Sequence, residues 1–326
     1  MMKVLWLNKD DVEVLLDMSG TLDVVEAAFR EHGVGRVQMP AKSYLYFQSH
    51  NGDLRTMPAF LEAEDIAGVK IVNVHPDNPE KGLPAVMAVV VLNSTATGAP
   101  LVMMDGTYLT DMRTGAAGGV AANHLARRDA AVVGIVGTGQ QARTQLRAIC
   151  EVREVTAVRI ISRSAASCKR FRDDMEKLGC DIRIMESIRQ VCDCDILVTA
   201  TPVRSPIVAD DWILDGTHIN AIGADAKGKQ ELDPMILKRS RIVIDDYAQA
   251  THSGEINVAL EKGIITVDDI YGTLGEVVAG IKPGRTDDDE ITIFDSTGLA
   301  IQDISTANHV YRQAIDRRIG MYLKLF

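Results

Sequence analysis

The segment Gly137-Thr138-Gly139-Gln140-Gln141-Ala142 follows the apolar run Ala131 to Val136 and opens a stretch, Gln140 to Val152, whose apolar residues recur at helical spacing. A strand, two glycines and a helix in that order constrain this chain more than any other feature. The first glycine permits a tight turn, the second lets the backbone approach a pyrophosphate, and the small Ala142 lets helix and strand pack closely. Amides at the start of such a helix lack intrahelical acceptors and point toward an anion. Gly137, Thr138, Gly139, Gln140 and Gln141 are therefore candidate cofactor-binding residues. The alternative is a glycine turn that merely joins two elements.

The rest of the chain gives this motif its setting. From Ala131 onward strands and helices alternate: Ala131 to Val136, Gln140 to Val152, Ala157 to Ser162, Ala165 to Leu178, Asp195 to Ala200, His218 to Ile222, Arg241 to Asp245, and a last strand Ile291 to Phe294. Alternation of this kind predicts a doubly wound parallel sheet of the Rossmann type. Earlier residues read differently. A short strand, Val4 to Leu7, is followed by a cap at Asn8 and helices over Asp10 to Asp17 and Thr21 to His32. Alternating strands then fall at Tyr44 to Tyr46, Val69 to Val74 and Ala85 to Leu92, separated by turn-rich pieces. The helix Arg113 to Arg127 is so rich in Gly and Ala that something must approach its backbone closely. Leu299 to Tyr322 reads as a helix that returns to the first region. The expected fold is α/β, a Rossmann domain (128–299) plus a smaller α+β substrate-binding and dimerisation domain (1–127 with 300–326).

Several charged residues stand where an apolar strand or strand end should have none. The strand Ala157 to Ser162 is followed by Arg163 and Ser164, where a carboxylate would select a free ribose 2′-hydroxyl. A guanidinium and two hydroxyls suit a 2′-phosphate better, so NADP is the first choice of cofactor and NAD the second. Arg163 stacked on adenine would fit either. Lys70 lies within Val69-Lys70-Ile71-Val72, where it is either a buried ammonium of lowered pKa or a strand-edge lysine whose head reaches water. Asp225 comes after the strand at His218, at the carboxyl end where open sheets place ligands, and there it could exchange protons or cap an element beyond Gly228. Arg55 and Arg113 could each hold a substrate carboxylate bidentately, or simply be solvated. His75, before Pro76, reads as a turn residue. Asp295, Ser296 and Thr297 read as caps for the final helix.

Composition removes other classes. The 326 residues carry 35 Lys plus Arg against 45 acids, a net charge of −10 with no basic block, which argues against nucleic acid and anionic membrane partners. The longest apolar stretches are too short to cross a bilayer and the amino terminus has no secretory pattern, so a cytoplasmic location is expected. Five cysteines form no metal-site spacing, and no metal is expected.

The segments Lys70-Ile71-Val72-Asn73 with His75-Pro76, Gly82-Leu83-Pro84, Arg113-Thr114-Gly115-Ala116-Ala117, Gly137-Thr138-Gly139, Ile222-Gly223-Ala224-Asp225 with Gly228-Lys229, and Asp295-Ser296-Thr297-Gly298-Leu299-Ala300 with Gln302-Asp303 resemble, nearly end to end and in order, the ornithine cyclodeaminase and mu-crystallin family. Within it the chain is most similar to the archaeal-type alanine dehydrogenases. The resemblance implies a homodimer joined through the first domains. It implies that Lys70 is catalytic and contacts substrate, that Asp225 transfers protons beside the nicotinamide, and that Arg113 contacts both the substrate carboxylate and the cofactor. It further implies that Gln140, Gln141, Ser162, Arg163, Ser164, Thr201, Ala224 and Ser296 line the dinucleotide. True ornithine cyclodeaminases carry an acid near Arg55 to grip the distal amine; an arginine there fits the alanine dehydrogenase branch. The same branch carries an acid where Ser162 stands, a departure that bears on the cofactor.

The expected activity is reversible NAD(P)-dependent oxidative deamination of L-alanine, or a similar small amino acid, to pyruvate and ammonia. Alternatives are a ketimine or cyclic imine reductase or an ornithine cyclodeaminase-type deaminase and, from another class, an NADPH-dependent ligand-binding protein of mu-crystallin type.

Overall fold

A computed structural model of the protein describes residues 3–325. The chain divides into two compact units, one running up to Arg113 and resuming at Leu299, the other spanning Thr114–Gly298.

The first unit is built on one mixed sheet. Its strands are β1 (Lys3–Leu7), β2 (Val37–Gln38), β3 (Ser43–Phe47), β4 (Gly52–Leu61), β5 (Ile66–Val74), β6 (Val86–Ser94), β7 (Pro100–Asp105) and a final strand Met321–Lys324. Their order is Met321–Lys324, β1, β7, β6, β5, β4, β2, with β3 also on β4. All pairs are antiparallel except β1 with β7. The period-2 pattern separates two faces. Leu5, Leu7, Val72, Val90, Leu92, Val102 and Met104 are buried on one face, over which the helix Ala300–Arg317 packs. Trp6, Met87, Val89 and Met103 are exposed on the other. Asn8 caps the helix Lys9–Leu15 as expected from sequence, accepting from the Asp11 amide.

One expectation fails at the carboxyl end. The last helix stops at Arg317, because Arg318 adopts a left-handed conformation (φ 56°), and Met321–Lys324 then pairs with β1. Its apolar residues suit either state, so only the chain reversal distinguishes them.

The second unit is a parallel sheet of β8 (Val132–Val136), β9 (Ala157–Ile161), β10 (Asp181–Ile184), β11 (Ile196–Thr199), β12 (His218–Ala221), β13 (Ser240–Ile244), β14 (Ile270–Thr273) and β15 (Ile291–Asp295). The order is β10-β9-β8-β11-β12-β15-β13-β14. Strand order reverses between β8 and β11, the topological switch point of a Rossmann fold. Central strands such as β11 (Ile-Leu-Val-Thr) are buried along their whole length, as a sheet covered on both faces requires. The Gly/Ala-rich helix, Thr107–Leu125, starts earlier than its sequence pattern suggested. What approaches its backbone is the helix Gln140–Val152: a Cβ on Gly115 would lie 2.5 Å from the Thr144 carbonyl oxygen. Among the described residues no helix is long and apolar enough to cross a membrane.

Candidate active site

In the second unit the candidate cofactor residues fall at the carboxyl ends of neighbouring parallel strands. Gly137 leaves β8 with φ 99°, and a Cβ there would meet the Ala200 carbonyl oxygen at 2.6 Å. Gly139 is the N-cap of Gln140–Val152 without a side-chain cap bond, and the space its Cβ would enter is open to 4 Å. Open space in front of uncapped amides fits a phosphate. The turn is braced from behind: Arg143 donates to the Thr138 carbonyl (2.7 Å), and the Thr138 and Ser167 hydroxyls are 2.8 Å apart. At the end of β9, Ser162 is half-buried and Arg163 exposed. Ser164 accepts from the Ser167 amide (3.2 Å) as the cap of the helix Ala165–Met175, so its oxygen already has a local task.

Thr201 follows β11, Ala224 and Asp225 follow β12, and Ser296 follows β15. The Thr201 amide and hydroxyl both donate to Glu231. Ser296 is buried, and its hydroxyl has no partner among the described residues, an orphan polar atom that a dinucleotide could satisfy. Asp225 is partly exposed and pairs with Lys229 at 2.5 Å. No helix follows Gly228 directly, so Asp225 is not a cap. Its loop is fixed by Asn257, which accepts from the Gly228 amide (2.9 Å) and donates to the Lys229 carbonyl (2.9 Å). Asp295 is not a cap for the last helix either. Its carboxylate accepts from the Glu255 and Ile256 amides, and Leu299 occupies the N-cap position.

In the first unit the structure decides between the two readings of Lys70. It lies on β5 between β4 and β6, facing the helix-covered side, with 1% of its side chain exposed. Its ammonium donates to Asp303 Oδ1 at 2.7 Å. Arg113 Nε donates to that same oxygen at 2.8 Å, and Arg113 also donates to Gln302 Oε1 at 3.0 Å. All these groups are buried. Burial drives the Lys70 pKa down, the Arg113 cation adds to this, and Asp303 opposes it; the ammonium titrates at about 7. Asp303 Oδ2 and Gln302 Nε2 have no partner among the described residues.

Arg55 sits on β4 opposite Val72, on the same sheet face as Lys70 and two residues along. Its guanidinium is engaged by Asp53 (2.9 and 3.0 Å) and lies over the Tyr44 ring, 5.4 Å from its centre. His75 lies in the turn after β5 with its ring stacked on Phe47. Among the described residues no group of three or more His, Cys, Asp or Glu could hold a metal.

Asp303 was not singled out from sequence. Its signal is an acid in the first turn of a helix whose neighbours, Ala300, Ile301 and Ile304, are buried: a carboxylate on a core face needs a cation.

The sequence profile of the ornithine cyclodeaminase/mu-crystallin family matches residues 2–318. The chain belongs to that family. Among relatives, it is 50% identical over 325 residues to the alanine dehydrogenase of Archaeoglobus fulgidus, covering 100% of this chain and 99% of that protein. Among solved structures of the family, an archaeal alanine dehydrogenase dimer with bound NAD superimposes with a TM-score of 0.96 at 50% identity, covering all of both chains. The Δ1-pyrroline-2-carboxylate reductase of Thermococcus litoralis, in complex with NADH and L-proline, gives 0.95 at 40% identity over 98% of this chain and 100% of that one.

Proposed function

We propose that this protein is a nicotinamide-dependent amino acid dehydrogenase that oxidatively deaminates L-alanine, or an amino acid of similar size, to its 2-oxo acid and ammonia. The observation that carries this reading is the buried Lys70–Asp303–Arg113 triad. Below about pH 7, while Lys70 keeps its proton, the triad holds two cations against one carboxylate, an excess of one positive charge away from water; once Lys70 is neutral, Arg113 remains as the cation. A substrate carboxylate supplies the anion that balances that excess. The relatives that share this fold act on alanine and on a cyclic imino acid, both carrying that group.

The residues then divide by task. The first unit is the substrate-binding and dimerisation domain. Arg113, joined by Arg55 if Asp53 releases it, grips the carboxylate, which fixes the Cα side of the substrate. Lys70, titrating near neutrality, takes a proton at Nζ from the attacking water and returns it to the departing amine. Asp225, paired with Lys229, stabilises positive charge developing at the substrate nitrogen. The second unit holds the dinucleotide. The amides beyond Gly139 take the pyrophosphate, with Gly137, Thr138, Gln140 and Gln141 forming the turn. Thr201, Ala224 and Ser296 line the remainder. When bound, the nicotinamide ring supplies the hydride acceptor.

For the cofactor we infer NADP, with NAD second. Residues 162–164 place no carboxylate at the end of β9, and Arg163 is an exposed cation that could meet a 2′-phosphate. NAD in the 50% identical structure supports the alternative. A homodimer is supported by the exposed apolar face of the first sheet, with Trp6, Val89, Met103 and Met321 on one side, and by the dimeric state of that relative. A cytoplasmic location suits five free thiols.

Formation of reduced nicotinamide from L-alanine with NADP and with NAD tests the assignment. Turnover with either supports it. Reduction of pyrroline-2-carboxylate without any alanine turnover would move the protein to the reductases, the reading favoured by the similarity to the Thermococcus litoralis enzyme.

A further inference from the structure

One buried side chain ties together the loops that leave β11 and β12. Glu231 is inaccessible to solvent. Its Oε1 accepts from the Thr201 amide (2.7 Å) and the Thr201 hydroxyl (2.6 Å), and its Oε2 accepts from the Gly223 amide (2.9 Å). Residue 223 must be glycine for this to form, since a Cβ there would lie 2.5 Å from Oε2 and 2.2 Å from the Thr201 carbonyl oxygen. Glu231 is itself fixed through its backbone. Its amide and that of Leu232 donate to Glu255 (2.9 and 2.7 Å). The amides of Glu255 and Ile256 in turn donate to Asp295 (2.9 and 3.1 Å) at the end of β15.

These contacts are made by neutral donors, amides and a hydroxyl, to carboxylates removed from water. Burial accordingly pushes the Glu231 pKa up, and Glu255, facing both Glu231 and Asp295, is pushed well above the ordinary range. Apolar packing between two loops would avoid that desolvation. What a bidentate carboxylate adds is directional: it fixes the distance between two backbone amides on adjacent strand ends. Those amides belong to Thr201 and to the segment that runs on through Ala224 to Asp225, the residues assigned above to the dinucleotide.

We propose that Glu231 is a positioning residue for the dinucleotide, setting the spacing between Thr201 and the Gly223–Asp225 segment. The inference rests on the reading of the second unit as a dinucleotide site.

The test is Glu231→Gln, read by fluorescence titration with NADH and NADPH, by steady-state kinetics and by thermal unfolding. A glutamine amide offers one acceptor and one donor where three donors converge, so one loop must release. The expected result is a Kd for the preferred dinucleotide weakened about tenfold, a matching rise in its KM, a lower kcat, and a KM for L-alanine within twofold of wild type. Loss of fold alone would lower the active fraction, and hence apparent kcat, while leaving Kd and KM of the folded molecules unchanged. Dinucleotide Kd within twofold of wild type in Glu231→Gln overturns the inference. Should that variant fail to fold, Glu255→Gln, which loosens the Glu231 backbone, is expected to weaken the same Kd about threefold, and an unchanged Kd there overturns it equally. If the wild-type chain binds neither dinucleotide, the proposed function itself fails.

Discussion

The two units bury ionisable side chains in opposite ways. In the first, Lys70 and Arg113 converge on a single oxygen of Asp303, side chain against side chain, leaving an excess positive charge and an ammonium that titrates at about 7. In the second, Glu231, Glu255 and Asp295 each accept from the amides of another segment, and Asp245 likewise accepts from the Thr297 and Gly298 amides. Burial holds Asp295 up at about 8, with Asp245 nearby adding to the shift. Charges paired with charges can change protonation as a substrate arrives, which suits chemistry. Carboxylates satisfied by backbone amides hold loops in place, which suits architecture. The difference predicts that substitutions in the Lys70–Asp303–Arg113 triad act chiefly on turnover, and those at the amide-bound carboxyl groups of the second unit on affinity and stability.

The largest effect should come from Asp303→Asn. It leaves the buried Arg113, and Lys70 while protonated, without an anion, and breaking such a pair costs about 3–5 kcal/mol. We expect a lower thermal midpoint and kcat/KM for alanine reduced at least about a hundredfold. Because Asp303 raises the Lys70 pKa, its loss also moves the titration down. In wild type, the rate of alanine oxidation should rise with pH through about 7 as the Lys70 ammonium loses its proton. Any residual activity of the variant should rise at lower pH, and an inflection that stays in place would detach the profile from this lysine.

Gly137→Ala probes the architectural side. The added methyl meets the Ala200 carbonyl oxygen at 2.6 Å, and φ is 99°. Such strain costs about 1–3 kcal/mol, so calorimetry should show a midpoint lower by several degrees, with dinucleotide affinity weakened and the KM for alanine little changed. The smallest effect is expected of Arg163→Ala, an exposed residue. It should lower the ratio of NADPH affinity to NADH affinity about tenfold, the worth of one charge-assisted contact. An unchanged ratio would show that Arg163 does not read the 2′-position.

The legibility of the sequence divides along the same line. The alternation from Ala131 onward and the glycine turn depend on local periodicity, and the helix Gln140–Val152 has the bounds its pattern implied. Lys70 stood out as a charge in an apolar run, but whether it was buried depended on β4 and β6 flanking it, a non-local fact. Its partner Asp303 lies 233 residues away and no local rule links the two. The carboxylates of the second unit were misread or unnoticed for a related reason. Asp295 looks like a cap because it precedes a helix, yet its carboxylate serves amides at 255 and 256, brought to it by the sheet. Met321 and Tyr322, the start of the terminal strand, read as helix because their apolar character carries either period, and the left-handed Arg318 is not announced by glycine or asparagine.

The measurement that bears most directly on the central claim is Lys70→Ala, assayed for dinucleotide Kd by fluorescence titration and for alanine turnover on the same preparation. The charge-paired triad as the seat of chemistry requires turnover to fall at least about a hundredfold while Kd stays within twofold of wild type. Turnover close to wild type would contradict it.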